Sequence, residues 1–241
     1  MVRADPAALE RLVELQAEDS AIDRLGARRA GLPEAARLAE LKDQLAELDA
    51  DIAIATKQAD ELGREAARIE DETATLEARI AKDEERLFSG KVANPKELSN
   101  LQADVEMLKR KRAEQEDALL EVMVKRDTVA ENLAKLSAER DQMAAEAGEL
   151  EATVGALIAE IDAELEQRRA ARAGLAGALP DDLLALYESL RASKHGVGVA
   201  VLEGATCSGC HTKLPAKEVE RLKAEKGLQR CDNCRRILVV R

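Results

Sequence analysis

The chain of 241 residues has no tryptophan, one tyrosine, one phenylalanine and two histidines. So few aromatics exclude the thick mixed core of an ordinary globular enzyme. No stretch approaches the ~20 apolar residues that span a bilayer. The opening MVRADPAALERL lacks an apolar run of signal-peptide length, so the expected location is cytoplasmic, with no membrane contact. Proline is scarce at five residues, and none of the four cysteines precedes Cys207. What fills the space is charge, 35% of residues with a net of −11, together with Ala and Leu. That is the composition of long helices and coiled coils.

A heptad pattern confirms the class. Apolar residues recur in steps of three and four from Leu38 through Leu41, Leu45, Leu48, Ile52, Ala55 and on to Leu87, broken only by Thr73 and Asp83. The pattern resumes at Leu98 and continues through Leu101, Val105, Leu108, Leu119, Val122 and Val129 to Ile161. A period of 3.5 residues keeps one stripe against a partner helix, the requirement for a left-handed supercoil. Between the two runs, RLFSGKVANPKEL holds Gly90 and Asn94-Pro95, which are turn formers, with Pro95 suited to the first position of a helix. The expected fold is mainly α: a long antiparallel coiled-coil hairpin over residues 1–175, with its tip at 88–96, followed by a small α+β zinc-ribbon domain at 176–241.

Folding the runs about a centre near Asn94 sets Thr73 opposite Gln115, Ala66 opposite Val122 and Ala59 opposite Val129. Pro6 to Arg29 is helical in pattern. It either extends the first arm beyond a kink near 31–33 or folds back as a third helix. Arg112, Arg126 and Arg140 recur at one seam position, read as stems packed on the seam with heads reaching solvent or glutamate, in preference to a basic rail for nucleic acid. SGK at the tip is not a phosphate loop, because Glu85 stands where the upstream glycine belongs and Val92 replaces the hydroxyl that would hold magnesium. Around the tip, Arg86, Lys91, Lys96, Lys109, Arg110, Lys111 and Arg112 outnumber three acids. The alternatives there are a solvated corner and a partner-docking tip, with Lys91, Lys96, Lys109, Arg110 and Lys111 as its candidate contacts.

GLAGALP closes the long helix, DDLLALYESLRASK reads as a short amphipathic helix and GVGVAVLEG as a strand. Cys207-Ser-Gly-Cys210 and Cys231-Asp-Asn-Cys234 then give two CxxC knuckles whose spacing fits a four-cysteine zinc site. Gly209 and Asn233 are the residues expected to take the left-handed backbone of each knuckle. Cys210-His211 completes a c-type haem attachment pattern, but a second matched pair is present and no Met follows Met143. One structural zinc on Cys207, Cys210, Cys231 and Cys234 is therefore expected, with His195 and His211 at the surface. A domain this small needs its metal to fold. A closed four-thiolate shell leaves no open position for substrate, and no catalytic constellation stands elsewhere, so no enzyme is expected.

The tip SGKVANPKELSNLQADVEMLK, the segment PDDLLALYESLR and the endings CSGC and CDNCRRILVV resemble the bacterial family that joins a coiled-coil hairpin to a C4-type zinc ribbon. Where many relatives carry a glycine after the last cysteine, this chain has Arg235. The resemblance implies binding of RNA, DNA or transcription components, the enhancer-dependent sigma factor among them. The residues themselves offer nine Lys or Arg against four acids from Ala205 onward, a formal +5. Four thiolates on one zinc reduce this to about +3. Lys213, Lys217, Arg221, Lys223, Arg230, Arg235 and Arg236 are the candidate contacts; Lys226 and Arg241 complete the count of nine. Without aromatic platforms, nucleic-acid binding is expected to be weak and electrostatic. The alternative is a protein-interaction scaffold or chaperone-like coiled coil with no nucleic-acid role. A monomer or weak dimer is expected.

Overall fold

The computed structural model describes residues 4–225 and 227–240; Lys226 and Arg241 lie outside them. In chain order the elements are α1 (Pro6–Ala30), α2 (Pro33–Phe88), α3 (Pro95–Gly177), α4 (Asp181–Ser193), β1 (Val199–Glu203), β2 (Thr206–Cys207), α5 (Ala216–Ala224) and β3 (Ile237–Val240). Asp5 caps α1, its Oδ1 accepting the Ala8 amide at 2.6 Å, with Pro6 at the first helical position. The chain packs as two compact units, residues 37–149 and residues 1–36 with 150–241.

In the unit of residues 37–149, α2 and α3 run antiparallel around the tip. Every α2 seam position from Leu38 to Leu87 is buried or half-buried. Ala66, Ile69 and Val122 form one buried cluster, which places Ala66 beside Val122 as the sequence register requires. Thr73 stays half-buried, its hydroxyl donating to its own helix at Ile69 O. The three seam arginines are held by acids: Arg112 by Glu116 and Glu77, Arg126 by Asp127, and Arg140 by Asp49 at 3.1 Å and Asp141. A basic rail is thus neutralised along its length.

In the other unit, α1 is a separate helix that ends at Ala30, before Pro33 opens α2. Leu25 and Leu32 pack against Ile161 and Leu165 of α3, and Arg29 binds Asp162 through two hydrogen bonds. The start of α1 meets the C-terminal domain. Leu12, Leu15, Leu183, Tyr187, Val199, Ile237 and Val239 share one core. The sheet order is β2-β1-β3, with β1 antiparallel to β2 and parallel to β3. Side chains alternate along both long strands. Val199, Ile237 and Val239 face α1 and α4, whereas Ala200, Leu202 and Leu238 face the cysteine core with Leu214 and Leu222. Both faces are covered, which is why ILVV and VAVL are unbroken apolar runs.

α1 also supplies the polar side chains that position this sheet. Gln16, buried, donates to Gly196 O and accepts from the Gly198 amide at 2.7 Å and the Val199 amide at 3.3 Å. A Cβ on Gly198 would stand 2.8 Å from Tyr187, so only glycine fits between helix α4 and the strand. Among the described residues, no helix is long and apolar enough to cross a membrane.

Candidate metal centre and contact surfaces

The two knuckles are built alike. The Cys207 amide donates to Thr212 O and the His211 amide returns to Cys207 O; the Cys231 amide donates to Arg236 O and the Arg235 amide returns to Cys231 O. Each pattern curls the backbone so that both thiols of a knuckle face one point. All four Sγ atoms lie within 4.8 Å of one another, and the Cys207–Cys234 and Cys210–Cys231 separations are 4.0 Å. A tetrahedron with Zn–S near 2.3 Å requires sulfur separations of about 3.8 Å. A disulfide would need about 2.05 Å.

The surroundings divide the four thiols. Burial pushes Cys207 up to about 12 and raises Cys231, although the amides of Gly209 and Cys210, and of Asn233 and Cys234, donate to the two sulfurs. Cys210 is lowered to about 6, chiefly by the Thr212 side chain, with Asn233 contributing. Asn233 Nδ2 bridges the knuckles, 2.8 Å from Thr212 Oγ1 and 3.5 Å from Cys210 Sγ. Burial thus favours the protonated form of Cys207 and Cys231, and zinc binding would displace those protons. Bound zinc, closed in by four thiolates, would tie together the two halves of the cysteine core.

The left-handed residues differ from the sequence expectation. Gly209 and Asn233 are not in that region; His211 at φ 56° and Arg235 at φ 65°, each directly after a second cysteine, are. Gly209 is needed for space, since a Cβ there would meet Ala200 Cβ and Arg236 Cδ at 2.9 Å. The turn after Cys234 thus asks for glycine but carries arginine. Arg235→Gly is expected to stabilise the zinc-loaded protein by about 0.5–1 kcal/mol, the left-handed penalty less the entropy cost of glycine. Differential scanning calorimetry checks this; an unchanged or lower Tm contradicts it.

The candidate contact residues fall into distinct environments. Lys213, Lys217 and Lys223 are exposed on the ribbon and make no ion pair among the described residues. Arg230 is half-buried beside β3. Arg221 and Arg235 both lean on Asp232, at 3.0 and 3.9 Å. Arg236 is turned inward, its guanidinium donating to Val197 O at 2.8 Å and Lys194 O at 2.9 Å. At the tip, Lys109 is paired with Glu84 at 2.7 Å, and Arg110 donates to its own helix at Glu106 O. Lys91, Lys96 and Lys111 are exposed. His195 and His211 are also at the surface.

One constellation escapes a sequence reading. Asp19, only 1% exposed, accepts from Tyr187 Oη at 2.6 Å and Arg172 Nε at 2.7 Å, and Arg191 Nε lies 3.5 Å away. Arg172 also binds Glu188, and Arg191 binds Asp23. Burial, followed by the hydrogen bond to Asp19, raises the Tyr187 hydroxyl well above its ordinary value. The only sequence signal was the singularity of Tyr187 in an aromatic-poor chain.

Two matched knuckles converging four thiolates make this end of the chain a C4 zinc ribbon for one structural zinc, carried with a long antiparallel coiled-coil hairpin. The chain belongs to the CT398-like coiled coil hairpin family, whose model matches residues 15–195, and a C4-type zinc ribbon domain matches residues 206–238. An uncharacterized protein of Mycobacterium tuberculosis is 30% identical over 99% of this chain and 97% of its own length. A solved structure from Mycobacterium smegmatis matches with a TM-score of 0.85 at 27% identity, covering 98% of this chain and 99% of that one. CT398 from Chlamydia trachomatis shares the fold at a TM-score of 0.72 and 20% identity, over 98% of both chains.

Proposed function

We propose that this protein is a non-enzymatic cytoplasmic adaptor, with residues 176–241 as its zinc-clamped head and residues 1–175 as its hairpin. It holds nucleic acid, transcription-related proteins or both through the basic ribbon, and its hairpin tip is a second contact. The observation that supports this best is the trio of exposed lysines Lys213, Lys217 and Lys223, without an ion pair among the described residues, on a small domain whose four clustered thiols would close the shell of a zinc ion. A saturated zinc activates no water, so the ribbon acts through its surface. Arg221, Arg235 and Arg236 are occupied internally, which leaves few cations for phosphate and makes the binding weak.

Fluorescence anisotropy of a short DNA duplex and an RNA of the same sequence, with the zinc-loaded full chain, tests this. Three phosphate contacts give a slope of about −2.7 in log affinity against log salt, a loss of roughly 40-fold between about 50 and about 200 mM. The triple variant Lys213→Glu, Lys217→Glu, Lys223→Glu should abolish binding at low salt. A flat signal at low salt, or one unmoved by the triple variant, overturns the nucleic-acid reading. A protein-interaction scaffold is the second reading, favoured by the exposure of Phe88 at the tip.

A further inference from the structure

The chain has a single phenylalanine, and it is 80% exposed. Its neighbour Leu87 still lies on the half-buried seam; Phe88, the last residue of α2, has left it. Local bonds fix the turn that follows. Ser89 Oγ donates to Arg86 O at 2.8 Å and accepts the Lys91 amide at 3.3 Å. Gly90 takes φ 69°, a conformation that costs a side-chain-bearing residue energy, and Asn94 Oδ1 accepts the Lys96 amide at 3.0 Å to start α3. Phe88 thus stands immediately before a turn whose backbone is set by hydrogen bonds.

Charge along the tip end of the hairpin is sorted. Arg86 is neutralised by Glu97 at 2.6 Å and Lys109 by Glu84 at 2.7 Å. Among the described residues, Lys91, Lys96 and Lys111 make no ion pair. A shallow groove of about 410 Å³ at the tip is lined by Lys82, Arg86 and Lys91 together with Glu85 and Glu97. Both signs of charge alternate in that lining, with Glu97 bound to Arg86, an arrangement that a protein surface of mixed charge can meet. Exposed aromatics are enriched in the buried centre of protein interfaces, and charged side chains such as lysine belong to the polar rim around it.

We propose that the hairpin tip is a protein-docking point in which Phe88 enters an apolar surface edged by carboxylates, with Lys91 and Lys96 pairing those carboxylates. This deepens the adaptor reading and rests on it for the tip's role as a contact. The absence of tryptophan supplies a direct probe, because Phe88→Trp carries the sole indole. The zinc-loaded full chain is titrated with a labelled amphipathic peptide of Leu and Glu, with its Gln-for-Glu twin, and with oligo-dT.

The expected result is a saturable blue shift of the indole with the Leu/Glu peptide, about tenfold weaker with the Gln twin. Phe88→Ala, and separately Lys91→Glu with Lys96→Glu, should each weaken the peptide about tenfold or more while helicity is unchanged. The triple ribbon variant should leave peptide binding intact, so failure at the tip and failure at the ribbon are read separately. Equal binding of both peptides, an indole response to oligo-dT alone, or indifference to Phe88→Ala overturns the proposal.

Discussion

Replacing Cys207 by serine is expected to abolish stoichiometric zinc and dissolve the packing of the ribbon while most helical signal persists. Cys207 and Cys231 are fully buried and belong to the same core as Ala200, Leu202, Leu214, Leu222 and Leu238. They are therefore both metal ligands and core residues. That core is too small to offset chain entropy alone. Structural zinc in comparably small domains supplies about 10–16 kcal/mol of apparent binding free energy, far more than the remaining contacts replace. Zinc content by atomic absorption should fall from one per chain toward none, and amide resonances of residues 199–240 should collapse into the narrow range of an unfolded chain. A chelator should reproduce the effect in the unaltered protein. A Cys207→Ser protein that retains one zinc and dispersed ribbon resonances would show that three thiolates suffice.

Asp19→Ala should destabilise the unit containing α1 by about 3–5 kcal/mol, because it leaves Arg172 and Arg191 beside a buried site with their shared carboxylate gone. Tyr187→Phe removes one hydrogen bond to that charge and should cost about 1–3 kcal/mol. Both guanidinium groups remain to hold Asp19 in that variant, which is why the smaller loss is expected. Chemical denaturation of the zinc-loaded protein, followed by circular dichroism, measures the two. Equal losses would mean that Asp19 acts through the tyrosine alone.

The parts that were legible from sequence are those in which one residue type repeats at a fixed spacing. Leucine and alanine in steps of three and four placed the seam, and its α2 positions are buried or half-buried as the 3.5-residue period demands. Gly90 and Asn94-Pro95 marked the turn, and two CxxC pairs marked the metal. Pairings between distant residues were hidden. Nothing in a chain with 37 basic and 48 acidic residues says that Asp19 belongs with Arg172, or that Arg236 spends its guanidinium on the carbonyls of Val197 and Lys194. Helix α5 is nine residues long and has no side-chain cap, so its pattern is too brief to stand out. The left-handed turns were assigned by residue type, Gly209 and Asn233, whereas the hydrogen bonds from His211 and Arg235 back to Cys207 and Cys231 choose the position after the cysteine.

The bonds from Gln16 to the start of β1 carry a consequence for biosynthesis. Gln16 and Gly198 are 182 positions apart, so at about 5–20 residues per second the ribosome releases the glutamine roughly 10–40 s before its partner exists. For that interval Leu12 and Leu15 have no ribbon strand to cover them. Completion of the sheet, rather than growth of the helices, is then the step that takes these leucines out of water.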